Sequence, residues 1–137
     1  MYTSYFSKID NLCQMGYTNF IAVSGYVPEF YKELLLNNFN DKIRFRRCIE
    51  LAPKKEWFFQ WKNGEFNNNK YIELYYETVL NKLNAQELYE EFGEDAVLLC
   101  YEKSNEFCHR HLIADWFNKE LKLNVNEIFF DFNEFIF

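Results

Sequence analysis

The sequence has no apolar run near the roughly 18 to 20 residues a membrane span requires, and its opening Met1-Tyr2-Thr3-Ser4-Tyr5-Phe6 lacks the basic-then-apolar build of a secretory signal. A cytoplasmic location without membrane partners is the expectation. No C-x-x-C pair occurs either. The four cysteines stand at 13, 48, 100 and 108, a spacing that fits no secreted disulfide framework, so free thiols are expected, with Cys13 and Cys48 as small buried hydrophobes. Internal repeats are absent, and the one bias, toward Asn, Lys, Phe, Tyr and Ile, carries no functional information. Positive charge is in deficit: 15 Lys and Arg against 21 Asp and Glu leave a net charge of -6. That excludes a binder coating its whole surface with nucleic acid and leaves only a local basic patch open.

What is present is ample material for a core. Of 137 residues, 49% are hydrophobic and 21% aromatic, which rules out disorder and matches one domain over residues 1–137. Residues 2–6 and 19–24 read as strands, the second broken by Gly25, with a helix at 30–36 ended by Asn37-Asn38. Residues 42–49 alternate basic and apolar as a half-exposed strand does. Leu51-Ala52-Pro53 opens a helix carrying Trp57, Phe58 and Trp61 that Gly64 stops; residues 67–69 read as a loop. A further helix spans 71–83, and Asn84-Ala85-Gln86-Glu87 starts a short one that Gly93 ends. Residues 96–101 form the most apolar strand, read as central and parallel. Ser104 or Asn105 caps a helix with Leu112, Ile113, Trp116, Phe117 and Leu121 inward. The expectation is an α/β, three-layer domain with a mainly parallel central sheet and flanking helices, its apolar C-terminal tail docked as an edge strand or helix.

A parallel strand ending at Cys100 aims residues 101–107 at the carboxyl edge of the sheet, where open α/β folds bind ligands. Cys108 then falls at a helix start, where the dipole and Arg110 favour a thiolate. Cys108 or Cys100 is read as a nucleophile or redox thiol, His109 as proton donor or acceptor, and Glu102 as general base or orienting carboxylate. Arg110 is read as an anion clamp. Both histidines of the chain, His109 and His111, lie here. A metal is not expected, because two histidines two apart project about 200° apart on a helix. A phosphatase loop is absent, since Glu106 and not Arg stands six residues after Cys100. Ser24, Gly25 and Tyr26 at another strand end offer an opposite wall to the same cleft. Lys42, Arg44, Arg46, Arg47, Lys54 and Lys55 make a basic stretch with Phe45, Trp57 and Phe58 interleaved, suited to nucleic acid or nucleotide phosphates, or else to a solvated face paired with acidic neighbours.

Residues 96–102, Ala-Val-Leu-Leu-Cys-Tyr-Glu, and 108–116, Cys-His-Arg-His-Leu-Ile-Ala-Asp-Trp, resemble the signature of the DUF488 family. So do residues 2–6, 22–28 and 51–53. The resemblance runs over residues 2–121 and implies an α/β domain with Ser24, Gly25, Cys100, Glu102, Cys108, His109 and Arg110 at matching positions. It brings no settled catalytic role and no cofactor. The leading expectation is an intracellular enzyme-like domain that binds a phosphate-bearing anion, a small molecule or nucleic acid, beside this cluster. The alternatives are a non-catalytic nucleic-acid module using residues 42–55 and a structural domain whose tail mediates self-association.

Overall fold

The computed structural model describes residues 1–37 and 42–130. Strand β4, the fourth in chain order, spans Val97–Cys100 and is apolar without alternation, so it must be covered on both faces. Val97 and Leu99 enter one core, Leu98 and Cys100 the other. β4 accordingly takes the centre. With β1 at Tyr2–Tyr5, β2 at Asn19–Ala22, β3 at Arg44–Arg47 and β5 at Asn126–Glu127, the order is β3-β2-β4-β1-β5. Every pairing is parallel, with Tyr5 beside Cys100, Leu99 beside Ala22, and Ala22 beside Arg47. Parallel register brings the carboxyl ends of these strands to one edge.

Parallel neighbours need crossovers, and six α-helices among the described residues supply the layers. α1 (Ile9–Gln14) and α2 (Glu29–Leu36) pack one face around Leu12, Phe20, Tyr31 and Phe45. α3 (Lys55–Lys62), α4 (Asn68–Thr78), α5 (Ala85–Phe92) and α6 (His109–Leu121) cover the other. This is the expected three-layer α/β architecture. The buried Leu and Phe side chains of the two cores each contribute about 1.5–3 kcal/mol relative to exposure. No helix among the described residues is long and apolar enough to cross a membrane.

Local chemistry sets the boundaries. Asn84 accepts from the Glu87 N–H at 3.0 Å and starts α5 as its sequence implied, and Gly64 and Gly93 sit at φ 78° and 95° beyond α3 and α5. Other boundaries differ from expectation. Asn67 caps α4 by accepting from the Lys70 N–H, so the Asn run opens the helix rather than forming a loop, and α4 ends at Thr78 with a 3-10 turn over Leu80–Lys82. Leu51 closes another 3-10 turn, Ala52 is extended, and α3 begins only at Lys55. Helix α1, at six residues, is too short to show a clear apolar period in the sequence. Neither Ser104 nor Asn105 is the N-cap of α6, which is Cys108, four residues further on than Ser104. The tail docks as an edge strand, with β5 beside β1 and the Ile128 N–H donating to the Thr3 carbonyl at 2.9 Å. The rest of it, residues 131–137, and Asn38 in the helix stop lie outside the described residues.

Candidate functional site

β4 ends at Cys100 and α6 begins at Cys108, so the connecting loop returns the second sulfur to the first at the carboxyl edge of the sheet. The Sγ atoms of Cys100 and Cys108 and a ring nitrogen of His109 lie within 4.8 Å of one another, all three residues buried. Cys100 Sγ is 3.5 Å from Glu102 Oε2 and 3.8 Å from His109 Nδ1. His109 Nε2 lies 2.7 Å from the Val23 carbonyl beyond β2. A carbonyl only accepts, so Nε2 holds a proton, and Nδ1 is left facing the sulfurs. Tyr75 crosses the ring edge-on at 5.5 Å and fixes its plane.

This geometry divides the two thiols. Burial pushes Cys108 up, but hydrogen bonds from Cys100 and His109 and the charges of His109 and Arg110 outweigh it and hold this thiol well below its ordinary value. Burial and the neighbouring Cys108 and Glu102 push Cys100 well up, so Cys100 keeps the proton and donates it to its partner. Burial opposes the charged ring of His109, yet the Cys108 sulfur and the Val23 carbonyl raise its value. Burial and the Cys108 charge also raise Glu102. These contacts favour the anion on Cys108 and the proton on Cys100, and they favour the charged form of His109. By contrast Cys48, buried beside Glu50, is pushed up to about 12, and Cys13 is half-buried rather than fully buried as expected.

The cluster forms the floor of a cavity of ≈ 950 Å³. Ser24, Gly25 and Tyr26 provide the wall assigned to them, although the Ser24 hydroxyl is engaged by the Tyr26 carbonyl. Lys32, Arg47, Lys54, Lys55 and Lys62 stand around the cavity against the carboxylates of Glu56 and Glu102, and Trp61, Tyr71 and Phe107 form an aromatic side. Lys55 Nζ sits 5.2 Å above the Tyr26 ring. The basic stretch therefore divides. Arg47, Lys54 and Lys55 reach the cavity, whereas Arg46 donates to the Glu91 and Phe92 carbonyls at the end of α5 and to Asn19 Oδ1, and Arg44 is exposed away from it. Arg44 and Arg46 are thus no part of one phosphate-binding face, because strand geometry and the open carbonyls of α5 draw Arg46 elsewhere.

Arg110 also departs from expectation. It is fully buried, with Nε 3.1 Å and Nη2 2.8 Å from the two carboxylate oxygens of Glu127 on β5, and it does not line the cavity. The anion it clamps belongs to its own chain. Thr3 Oγ1 donates to the same carboxylate at 2.5 Å, and although burial raises Glu127, Arg110 overcomes this and lowers it. His111, half-buried, stays outside the cluster, in line with its angular separation from His109. Cys100, Cys108 and His109 nonetheless offer a soft-metal donor triad without His111. Sequence reasoning also missed Glu127, for which an isolated acid in an apolar tail gives no signal, and Lys62, which was visible at two helical turns from Lys55.

The comparisons with known proteins bear on this arrangement. A family model described as DUF488-N3a, the active DUF488-N3 subclade, matches residues 37–121, more than half of the chain. The match takes in β3, β4, most of the cavity wall and the whole thiol cluster, and leaves out β1, β2 and β5. Neither the curated proteins nor the solved structures include a match. On the family model, the chain belongs to the DUF488 family.

Proposed function

We propose that this protein is an enzyme that binds a phosphate-bearing anion in the cationic cavity and acts on it through the Cys108 thiolate. One observation carries the reading: Cys108, His109 and five cationic side chains line a single cavity in a chain of net charge -6. A cavity of that sign in an acidic protein concentrates anions locally. Arg47, Lys54 and Lys55 would hold the anion, Cys108 would be the nucleophile, and His109 would move the proton at Nδ1. Glu102 would receive or return a proton at Cys100. The matched family model is described as an active subclade, which accords with catalysis. A nucleic-acid face along residues 42–55 is less favoured, since Arg46 is engaged by backbone carbonyls.

Alkylation tests the reading. With the protein freed of metal by a chelator, iodoacetate and iodoacetamide should both label Cys108 before Cys13 and Cys48. The anionic reagent should gain on the neutral one relative to free cysteine, and inorganic pyrophosphate should protect the thiol. Labelling of Cys13 first, or no protection at any pyrophosphate concentration, overturns it.

A further inference from the structure

We infer that the Cys100–Cys108 pair carries out thiol–disulfide exchange, reducing anionic organic disulfides that enter the cavity. This uses the thiolate of the proposed function but does not depend on phosphate recognition. Three observations carry it. The two sulfurs and the ring nitrogen of His109 lie within 4.8 Å of one another, close enough for one sulfur to attack a disulfide formed on the other. Cys100 Sγ has a carboxylate oxygen, Glu102 Oε2, at 3.5 Å and the imidazole His109 Nδ1 at 3.8 Å, so groups able to accept or return a proton flank the pair. Both sulfurs stand at the floor of a cavity whose basic side chains favour negative substrates.

The chemistry balances with a disulfide RS–SR as the two-electron acceptor. Cys108 Sγ attacks one substrate sulfur, the S–S bond breaks, and the departing thiolate takes the proton from His109 Nδ1. Cys108 is then held as a mixed disulfide. Cys100 passes its proton to Glu102, and its sulfur attacks Cys108 Sγ, displacing the second thiolate, which is protonated from solvent. The protein dithiol has become a Cys100–Cys108 disulfide and the substrate two thiols. A small dithiol in solution, itself oxidised, restores the resting pair. Cys100 attacks the neighbouring sulfur and not the substrate, so it needs no contact with the incoming disulfide.

The test uses the reduced full-length protein, chelator-treated, with glutathione disulfide as the anionic probe and cystamine as the cationic one, read by mass spectrometry after acid quenching. The wild type should form the internal disulfide and release two glutathiones per chain. Cys100→Ser should stop with one glutathione on Cys108, and Cys108→Ser should form neither product. Cys100→Ala, checked by circular dichroism, covers the case in which a buried serine unfolds the chain. Relative to free cysteine, glutathione disulfide should react at least about 10-fold faster than cystamine. The inference is overturned if the wild type accumulates only the mixed disulfide, or if both folded Cys100 variants react no faster at Cys108 than at Cys13. Pyrophosphate protection measured in parallel separates the two claims. Exchange without protection removes phosphate as the ligand and keeps the dithiol chemistry, and protection without exchange does the reverse.

Discussion

His109 and Arg110 are consecutive in the first turn of α6, yet they serve different regions of the molecule. On one side His109 turns to the cavity, its ring held between the Val23 carbonyl and two sulfurs. On the other, Arg110 turns away from the cavity and closes a bidentate pair with Glu127, fastening β5 to the sheet. A helical step of 100° is enough to send one residue to chemistry and the next to architecture. A compact motif need not be one site: the basic member of Cys-His-Arg acts on Cys108 only as a charge, and its hydrogen bonds belong to the scaffold.

The largest effect is expected on the architectural side. Arg110→Ala leaves the Glu127 carboxylate buried without its partner, and thermal or urea unfolding should show a loss of about 3–5 kcal/mol. Arg110→Lys should lose less but still lower the melting temperature, since an ammonium cannot reproduce the two-pronged contact. On the chemical side, His109→Ala should leave the fold largely intact while slowing iodoacetamide labelling of Cys108 at neutral pH by about 10-fold or more, as the thiol reverts toward an ordinary value. An unchanged rate would move the activation of Cys108 from His109 to the helix terminus.

Acid should separate the two sides further. Glu127 is held below the usual carboxylate range, so its contribution is present above that range and is lost as pH falls through its folded value. Stability should therefore hold from neutral pH down to the usual carboxylate range and drop below it, and Glu127→Gln should flatten part of that slope in urea titrations at each pH. The smallest effect concerns the rim. Lys54→Ala with Lys55→Ala should reduce the preference of Cys108 for iodoacetate over iodoacetamide by about 2- to 5-fold at low salt, fading at high salt because these charges face solvent. A preference unaffected by salt would assign it to buried groups instead.

Much of the site was legible in the sequence because its parts sit next to each other in the chain. An apolar strand without alternation has to be central. A strand followed by a loop and a helix has to bring Cys100 and Cys108 to the carboxyl edge. Ser24-Gly25-Tyr26, after another parallel strand, has to end nearby. These follow from periodicity and from the geometry of parallel sheets, and they settle the α/β class and the position of the thiols. Which way each side chain turns was decided by partners distant in sequence. Arg110 found a carboxylate 17 residues on, Arg46 found carbonyls at Glu91 and Phe92, and His109 found Val23 86 residues back. Only the folded chain brings these groups together, because a buried charge or ring nitrogen takes whichever partner the tertiary packing leaves within hydrogen-bonding reach, and local spacing cannot specify it.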